Sequence, residues 1–304
     1  MFTKEITMKL ILAVALSLFT AGAFANETIK IYSPYSPGHS GSPALRRVVE
    51  EANTSQSIYN FVVEFKPGGN QIIAVKSMDT SNSLAIIAPA YVENIDAGQL
   101  NEQDYIPIHA FGDACWAVVT NKPFTGATDF VVAGVGIGNA THLTALALGK
   151  KYKFDVRYVL FKSNYDGLIN MAGNNGVEFV IDKYESYEAL RTKNQNMNMV
   201  AASCPTRLPQ APNVKTLKEL GVAAPYIFNI TIAHRGMPVA RRVAITKILN
   251  DATLRVGQGE IYRLSAMQPP IFNGISAEQF YKQSVDVVRA LQIDHNRAIL
   301  QSKQ

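Results

Sequence analysis

Apolar positions along this chain switch repeatedly between a period of two and a period near 3.6. Residues 28–32 alternate polar and apolar side chains, which predicts a strand. Ser42 and Pro43 then mark a helix start, with a hydroxyl at the cap and proline where its missing N–H costs nothing. Ala44, Leu45, Val48 and Val49 continue that helix. A second strand is predicted over 61–65, a turn at Pro67-Gly68-Gly69, a helix over about 71–78 and a short buried strand over 84–88. The alternation resumes with a strand over 130–133, a glycine-rich turn and a helix over 140–150. Strands over 156–161 and 177–181 lead into helices over 165–172 and 184–191, and 197–202 reads as another strand. After a last strand over 226–233 the pattern is mostly helical, including 239–256 and 277–300. Strand then helix at this spacing predicts an α/β protein with parallel sheets, whose strand C-termini would face a shared cleft.

Composition narrows the picture. The 304 residues are 47% apolar and 17% charged, ordinary for a globular protein with a substantial core. The first 25 residues stand apart: Lys9, an apolar run over 10–19, then Ala23-Phe24-Ala25. That order predicts a secretory signal peptide cleaved after Ala25, with Met1 or Met8 as the start. No other segment is long and apolar enough for a membrane span. The formal net charge is +5, but the basic residues are scattered, so nucleic acid is not an expected partner. Export permits a disulfide between the two cysteines, Cys115 and Cys204; two buried thiols are the alternative. Neither these nor the five histidines have metal-ligand spacing, so no metal and no cofactor is expected.

Two loops could carry chemistry. In the first, Gly38-His39-Ser40-Gly41-Ser42 resembles a nucleophile elbow but has serine at the last glycine position. Ser40 also lies eight residues beyond Tyr32, too far for a sharp strand-to-helix turn. What remains is a row of hydroxyls and N–H groups at a helix start, suited to an anion. The second loop, Gly134 to His142, suggests a dinucleotide fingerprint with Asp155 as the ribose acid. Its Gly-x-Gly-x-Gly spacing is wrong for that, and a second anion-binding helix start is the better reading. His142 there has two open roles, touching a ligand or packing.

At this point the chain resembles the substrate-binding proteins of tripartite tricarboxylate transporters. The resemblance rests on Pro34 to His39 with Ala44-Leu45-Arg46, on Lys66 to Gly69 and on Gly136 to Leu143. It continues through Val159 to Ser163, Gly176 to Asp182 and Thr216 to Gly221, in the family's order and spacing. The implied fold is a two-domain periplasmic-binding-protein fold of type II kind, with two α/β domains joined by crossover strands around a ligand cleft. Residues 26–120 plus 226–304 would form domain one and residues 121–225 domain two. Cys115 and Cys204 would lie near the crossovers, which favours their pairing. The implied protein is a monomeric, non-enzymatic periplasmic receptor. It would capture a small organic carboxylate and deliver it to the transporter's membrane components.

The family's ligand loops carry over to Tyr35, Ser36, Gly38, His39, Ser40 and Ser42 on one side. Gly138, Asn139, Ala140, Thr141 and His142 face them, with Phe161, Lys162 and Asp182 at strand ends. His39 and Ser42 depart from the family's Gly and Asp, Asn139 from its Ser/Thr and Phe161 from its Tyr, so the ligands of relatives do not transfer. Two alternatives stand: an exported serine hydrolase using Ser40 with His142 or His39, and a carboxylate receptor serving a sensor.

Overall fold

The computed structural model describes residues 26–35, 37, 42–68, 71–114, 116–134, 140–161, 163–204, 206–208, 210–223, 227–264 and 267–301. The predicted signal peptide lies outside the described residues. The chain opens with β1 (Glu27–Ser33), α1 (Ser42–Thr54), β2 (Tyr59–Phe65), α2 (Ile72–Lys76), β3 (Ser83–Ile87) and α3 (Ala90–Asp96). It continues through β4 (Tyr105–Ala114), β5 (Trp116–Thr120), β6 (Asp129–Gly134), α4 (Ala140–Tyr152), β7 (Asp155–Leu160) and α5 (Asn164–Ala172). Then follow β8 (Phe179–Lys183), α6 (Tyr184–Arg191), β9 (Asn198–Ala202), β10 (Ile227–His234) and α7 (Val239–Val256). Last come α8 (Glu260–Leu264), β11 (Met267–Gln268) and α9 (Ala277–Gln301).

These strands build two sheets, ordered β11-β4-β10-β3-β1-β2 and β7-β6-β8-β5-β9. In the first sheet β1 runs parallel to β2 and β3, while β10 is antiparallel to β3 and β4. In the second, β6 runs parallel to β7 and β8, and β5 is antiparallel to β8 and β9. The alternation read in β1 is real: Ile29 and Ile31 are fully buried while Lys30 turns outward to an ion pair with Glu64 at 2.8 Å. β3 is buried at all five positions because it lies inside the sheet with helices on both faces. One face packs under α1 and α7 through Val48, Leu84, Ile245 and Leu249. The other packs under α3 and α9 through Ile87, Tyr91, Phe228 and Val288. In the second lobe Phe124, Phe130, Phe154 and Phe179 form an aromatic cluster beneath α4. Leu168, Met171 and Val180 seal the side under α5 and α6.

Several boundaries differ from the sequence reading. Helix α2 starts late because Gln71 sits in the left-handed region at φ 76. β8 starts two residues beyond the expected 177. The Glu178 carboxylate instead accepts the Val131 N–H at 3.0 Å and meets Lys122 at 2.8 Å. Residues 116–120, expected with the first domain, hydrogen-bond in the second sheet as β5. The chain therefore passes from one sheet to the other at residues 114–116, without an intervening loop. The C-terminal helix α9 packs on β4 and α3 of the first lobe and also reaches α4 of the second.

One buried polar group gives the first lobe a pH signature. His109 on β4 is fully buried, its Nε2 2.8 Å from Thr253 Oγ1 and its ring edge-on to Phe111. Burial lowers its pKa to about 3. Stability from this group is complete above about pH 6.5. It is lost as pH falls towards 3, because the unfolded chain binds the proton first. Replacing His109 with Gln is expected to flatten that part of the profile, by up to roughly 1.4 kcal/mol per pH unit. Urea unfolding of both proteins at several pH values between 7 and 3.5 measures it; parallel profiles would refute it.

Candidate functional site

Parallel strands of both lobes end in loops that lead into helix starts, the edge at which open α/β sheets hold ligands. In the first lobe β1 ends at Ser33, fully buried, whose Oγ accepts the Tyr35 N–H at 3.4 Å. The Tyr35 hydroxyl donates to Asn229 Oδ1 on β10 at 3.0 Å, tying the loop after β1 to a strand 194 residues away. Burial pushes the Tyr35 phenol above its usual pKa, so it remains a neutral donor. Asn229 stands opposite Gly112, where the β4–β10 register shifts. Gly112 takes φ 127, a conformation open to glycine. Ser33, Tyr35, Ser42, Leu45, Ile86, Phe111 and Asn229 line a cavity of about 10 Å³. That is room for one water molecule, not for an organic ligand. Ser42 is buried and is the first residue of α1, one position inside the helix from the expected cap.

In the second lobe β6, β7 and β8 end at Gly134, Leu160 and Lys183, and α4, α5 and α6 begin on that same edge. Thr141 and His142 in the first turn of α4 are both buried. Ala140, at the head of that helix, is half-buried, and its carbonyl accepts the Thr144 hydroxyl at 2.7 Å. The His142 ring lies 4.5 Å from the Tyr158 ring, so it packs. Tyr158 in turn covers Gly134: a Cβ there would stand 1.8 Å from its hydroxyl oxygen, so a larger residue would have to displace the Tyr158 ring. Phe161 is half-buried, donates its N–H to Gly134 O at 2.8 Å and packs against the α5 face. Ser163 caps α5, accepting the Asp166 N–H at 3.1 Å and donating to its carboxylate at 2.9 Å.

Asp182, near the end of β8, is 7% exposed. Its Oδ1 accepts the Lys183 N–H at 2.8 Å, and its Oδ2 has no hydrogen-bond partner. Burial raises its pKa to about 6, although the Lys183 N–H and charge and a hydrogen bond with the Ser186 side chain pull the other way. Asn164, the first residue of α5, is equally buried, with Nδ2 3.5 Å from Thr141 Oγ1 and Oδ1 unpartnered. Sequence reasoning missed Asn164 and Asn229. A polar residue inside the apolar strand 227–234 was the available signal for the latter, and Asn164 had only its place after Ser163. Ser36, Gly38, His39, Ser40, Gly138, Asn139, Lys162 and Cys115 lie outside the described residues. The structure thus brings Tyr35 and Ser42 together in one lobe and Thr141 beside Asn164 in the other.

No family model matches the chain, and no curated protein matches it. Among solved structures it is similar to a TctC solute-binding protein from Polaromonas, with TM-score 0.70 and 17% identity over 89% of this chain and 98% of that one. It is similar to the periplasmic binding protein BugD, with TM-score 0.66 and 16% identity over 90% and 97% of the two chains. It is also similar to MatC from Rhodopseudomonas palustris, solved with bound malate, with TM-score 0.62 and 17% identity over 87% and 97%. At such identities the likeness is one of fold. The chain has the two-lobed α/β architecture of the periplasmic solute-binding proteins.

Two substitutions test this geometry. Above about pH 6 the buried Asp182 charge costs the folded protein on the order of 3 kcal/mol, and below about pH 4 it costs nothing. Asp182→Asn should therefore stabilise the free protein at pH 7.5, with the gain fading near pH 4 in urea melts. Gly167 lets α5 lie close on β6, since a Cβ there would come 2.4 Å from Ala133 Cβ. Gly167→Ala should lose about 1–3 kcal/mol by overpacking, read from the same melts.

Proposed function

We propose that this chain is an exported receptor that holds a small organic carboxylate between its two lobes. It passes that ligand to the membrane components of a tripartite tricarboxylate-type transporter. The observation that carries the reading is the pair of parallel-strand edges, each opening into helix starts, on two sheets joined without a linker at residues 114–116. Helix-start N–H groups suit a carboxylate, and the fold likeness to MatC with malate agrees with that chemistry. No helix among the described residues is long and apolar enough to cross a membrane, which accords with a receptor released by cleavage after Ala25. Ligand capture of this kind needs no bond-making step. Closure replaces water with fixed donors, and differential contacts in the closed state shift the hinge equilibrium.

The binding set is Tyr35, Ser36, Gly38, His39, Ser40 and Ser42 facing Gly138, Asn139, Ala140 and Thr141, with Phe161, Lys162 and Asp182 beside them. His142 is the remaining member of the set, with its ring 4.5 Å from that of Tyr158. Cys204 is buried and disulfide-bonded. Ala117 pairs with Ala202, and Ser203 N–H donates to Trp116 O at 2.9 Å, so the described residues beside the two cysteines are hydrogen-bonded together. A Cys115–Cys204 bridge would clasp the two crossovers.

A thermal-shift screen of mono-, di- and tricarboxylates tests the reading. A ligand at a hundred times its dissociation constant is expected to add about 2.7 kcal/mol of stability. No shift with any carboxylate, and none co-purifying, would sink it. A pull-down of the loaded protein from membranes separates transporter delivery from sensing.

A further inference from the structure

We propose that an exposed lysine face on the second lobe docks on an anionic phospholipid surface, which makes this lobe the membrane-facing side of the protein. Beyond the predicted leader, residues 26–115 and 227–304 carry 15 basic and 15 acidic side chains, whereas residues 116–226 carry 12 and 8. The whole positive excess therefore sits in one lobe. Within it Lys122, Arg157, Arg191 and Arg207 are neutralised by Glu178, Asp129, Glu188 and Glu219 at 2.6–3.0 Å. Lys151, Lys153, Lys215 and Lys218 are exposed, and no ion pair engages them among the described residues. The two pairs are far apart in the chain, and the fold gathers them. Leu217 and Val222 share an apolar core with Leu148 and Phe154, which lays the 215–221 turn against the end of α4. A Cβ on Gly221 would stand 3.4 Å from Lys151 Nζ, and the Gly221 N–H donates to Lys218 O at 2.9 Å.

Lys151 lies in the last turn of α4, where a cation also complements the helix dipole. That accounts for one of the four. Lys153 stands past the helix end at φ 63, and Lys215 and Lys218 belong to another segment. Of the nearby acids, Asp155 is exposed two residues beyond Lys153, and Glu219 is held by Arg207 and the Thr216 N–H. The makeup of the face favours lipid over protein. Specific protein interfaces are anchored by aromatic, methionine and arginine side chains and are poor in lysine. The exposed large apolar side chains of this lobe are Val159, Leu160, Tyr165 and Ile169, on β7 and α5; among the described residues none lies on α4 or over 203–223. Hydrated lysine charges without an apolar anchor suit the diffuse negative field of lipid phosphates, where no fixed geometry has to be matched. α4 has 13 residues, so it spans roughly 20 Å from the ligand edge to its lysine end. Lipid contact there leaves the ligand edge uncovered.

This role is independent of the ligand in the cleft and takes from the proposed function only the export that brings the protein to a membrane. Co-sedimentation of the full mature chain with vesicles tests it. Vesicles of equal parts phosphatidylglycerol and phosphatidylcholine should bind the protein at about 25 mM salt and release it at about 500 mM. Vesicles of phosphatidylcholine alone should not bind it. Lys151→Gln, Lys153→Gln, Lys215→Gln and Lys218→Gln together should lower the partition coefficient about a hundred-fold or more, at roughly five-fold per lysine. Lys76→Gln, Lys247→Gln and Lys282→Gln together, all exposed on the first lobe, should leave it within about two-fold. If the quadruple variant does not fold, the 151/153 and 215/218 pairs changed separately should each lose about ten-fold or more. Equal binding to neutral vesicles, or as large a loss from the first-lobe variant, would overturn the proposal. So would absence of binding to anionic vesicles at low salt; lysine-dependent capture by transporter components in phosphatidylcholine would then assign the face to an acidic protein. Each of these results leaves the carboxylate reading untouched, because the vesicles hold no ligand for the cleft.

Discussion

Residues 105–120 hydrogen-bond into two sheets in immediate succession, and most of the structure follows from that. β4 pairs with β10 and β11 in the first sheet, and β5 pairs with β8 and β9 in the second. With a single residue between them, the two strands cannot be placed independently. The sheets' relative position is therefore set by backbone pairing at the crossing, not by a flexible linker. The return path is tied to the same place, because Ser203 hydrogen-bonds Trp116 and Cys204 lies in a disulfide. α9 adds a third connection by touching both lobes.

Around that frame both lobes bury polar atoms, some hydrogen-bonded and some without a partner. In the first, Tyr35, Asn229 and Ser33 hydrogen-bond locally and leave a cavity no larger than a water molecule. His109 is held neutral deep in the core by burial. In the second lobe, Asp182 and Asn164 keep acceptors with no donor at the strand edge. A buried polar atom left without a partner lowers the stability of the folded protein.

The elements with strong local signals were legible before the fold was known. The period-two pattern of β1, the Ser42-Pro43 start of α1 and the helical pattern of 239–256 all match what forms. Each depends on neighbours in sequence: alternating faces, a cap, an apolar stripe. β4 and β5 were missed, since residues 105–120 mix His109, Gly112 and Asp113 with apolar residues and their pairing partners lie far along the chain, as with Thr120 and Phe179. Thr141 and Asp182 were legible as strand-end and helix-start positions. Asn164 and Asn229 were not, because what sets them apart is burial and the lack or presence of a distant partner.

The sequence by itself determined the α/β class, the alternation of strands and helices and the position of two glycine-rich helix starts, because these follow from side-chain periodicity and turn chemistry within a few residues. Only the tertiary structure decided that 116–120 belongs to the second lobe, that His142 packs on Tyr158, that Tyr35 reaches Asn229 and that Asp182 keeps one oxygen without a donor. Those outcomes depend on which strands become neighbours and on what each side chain loses when water is excluded. Neither is set by residues adjacent in the chain.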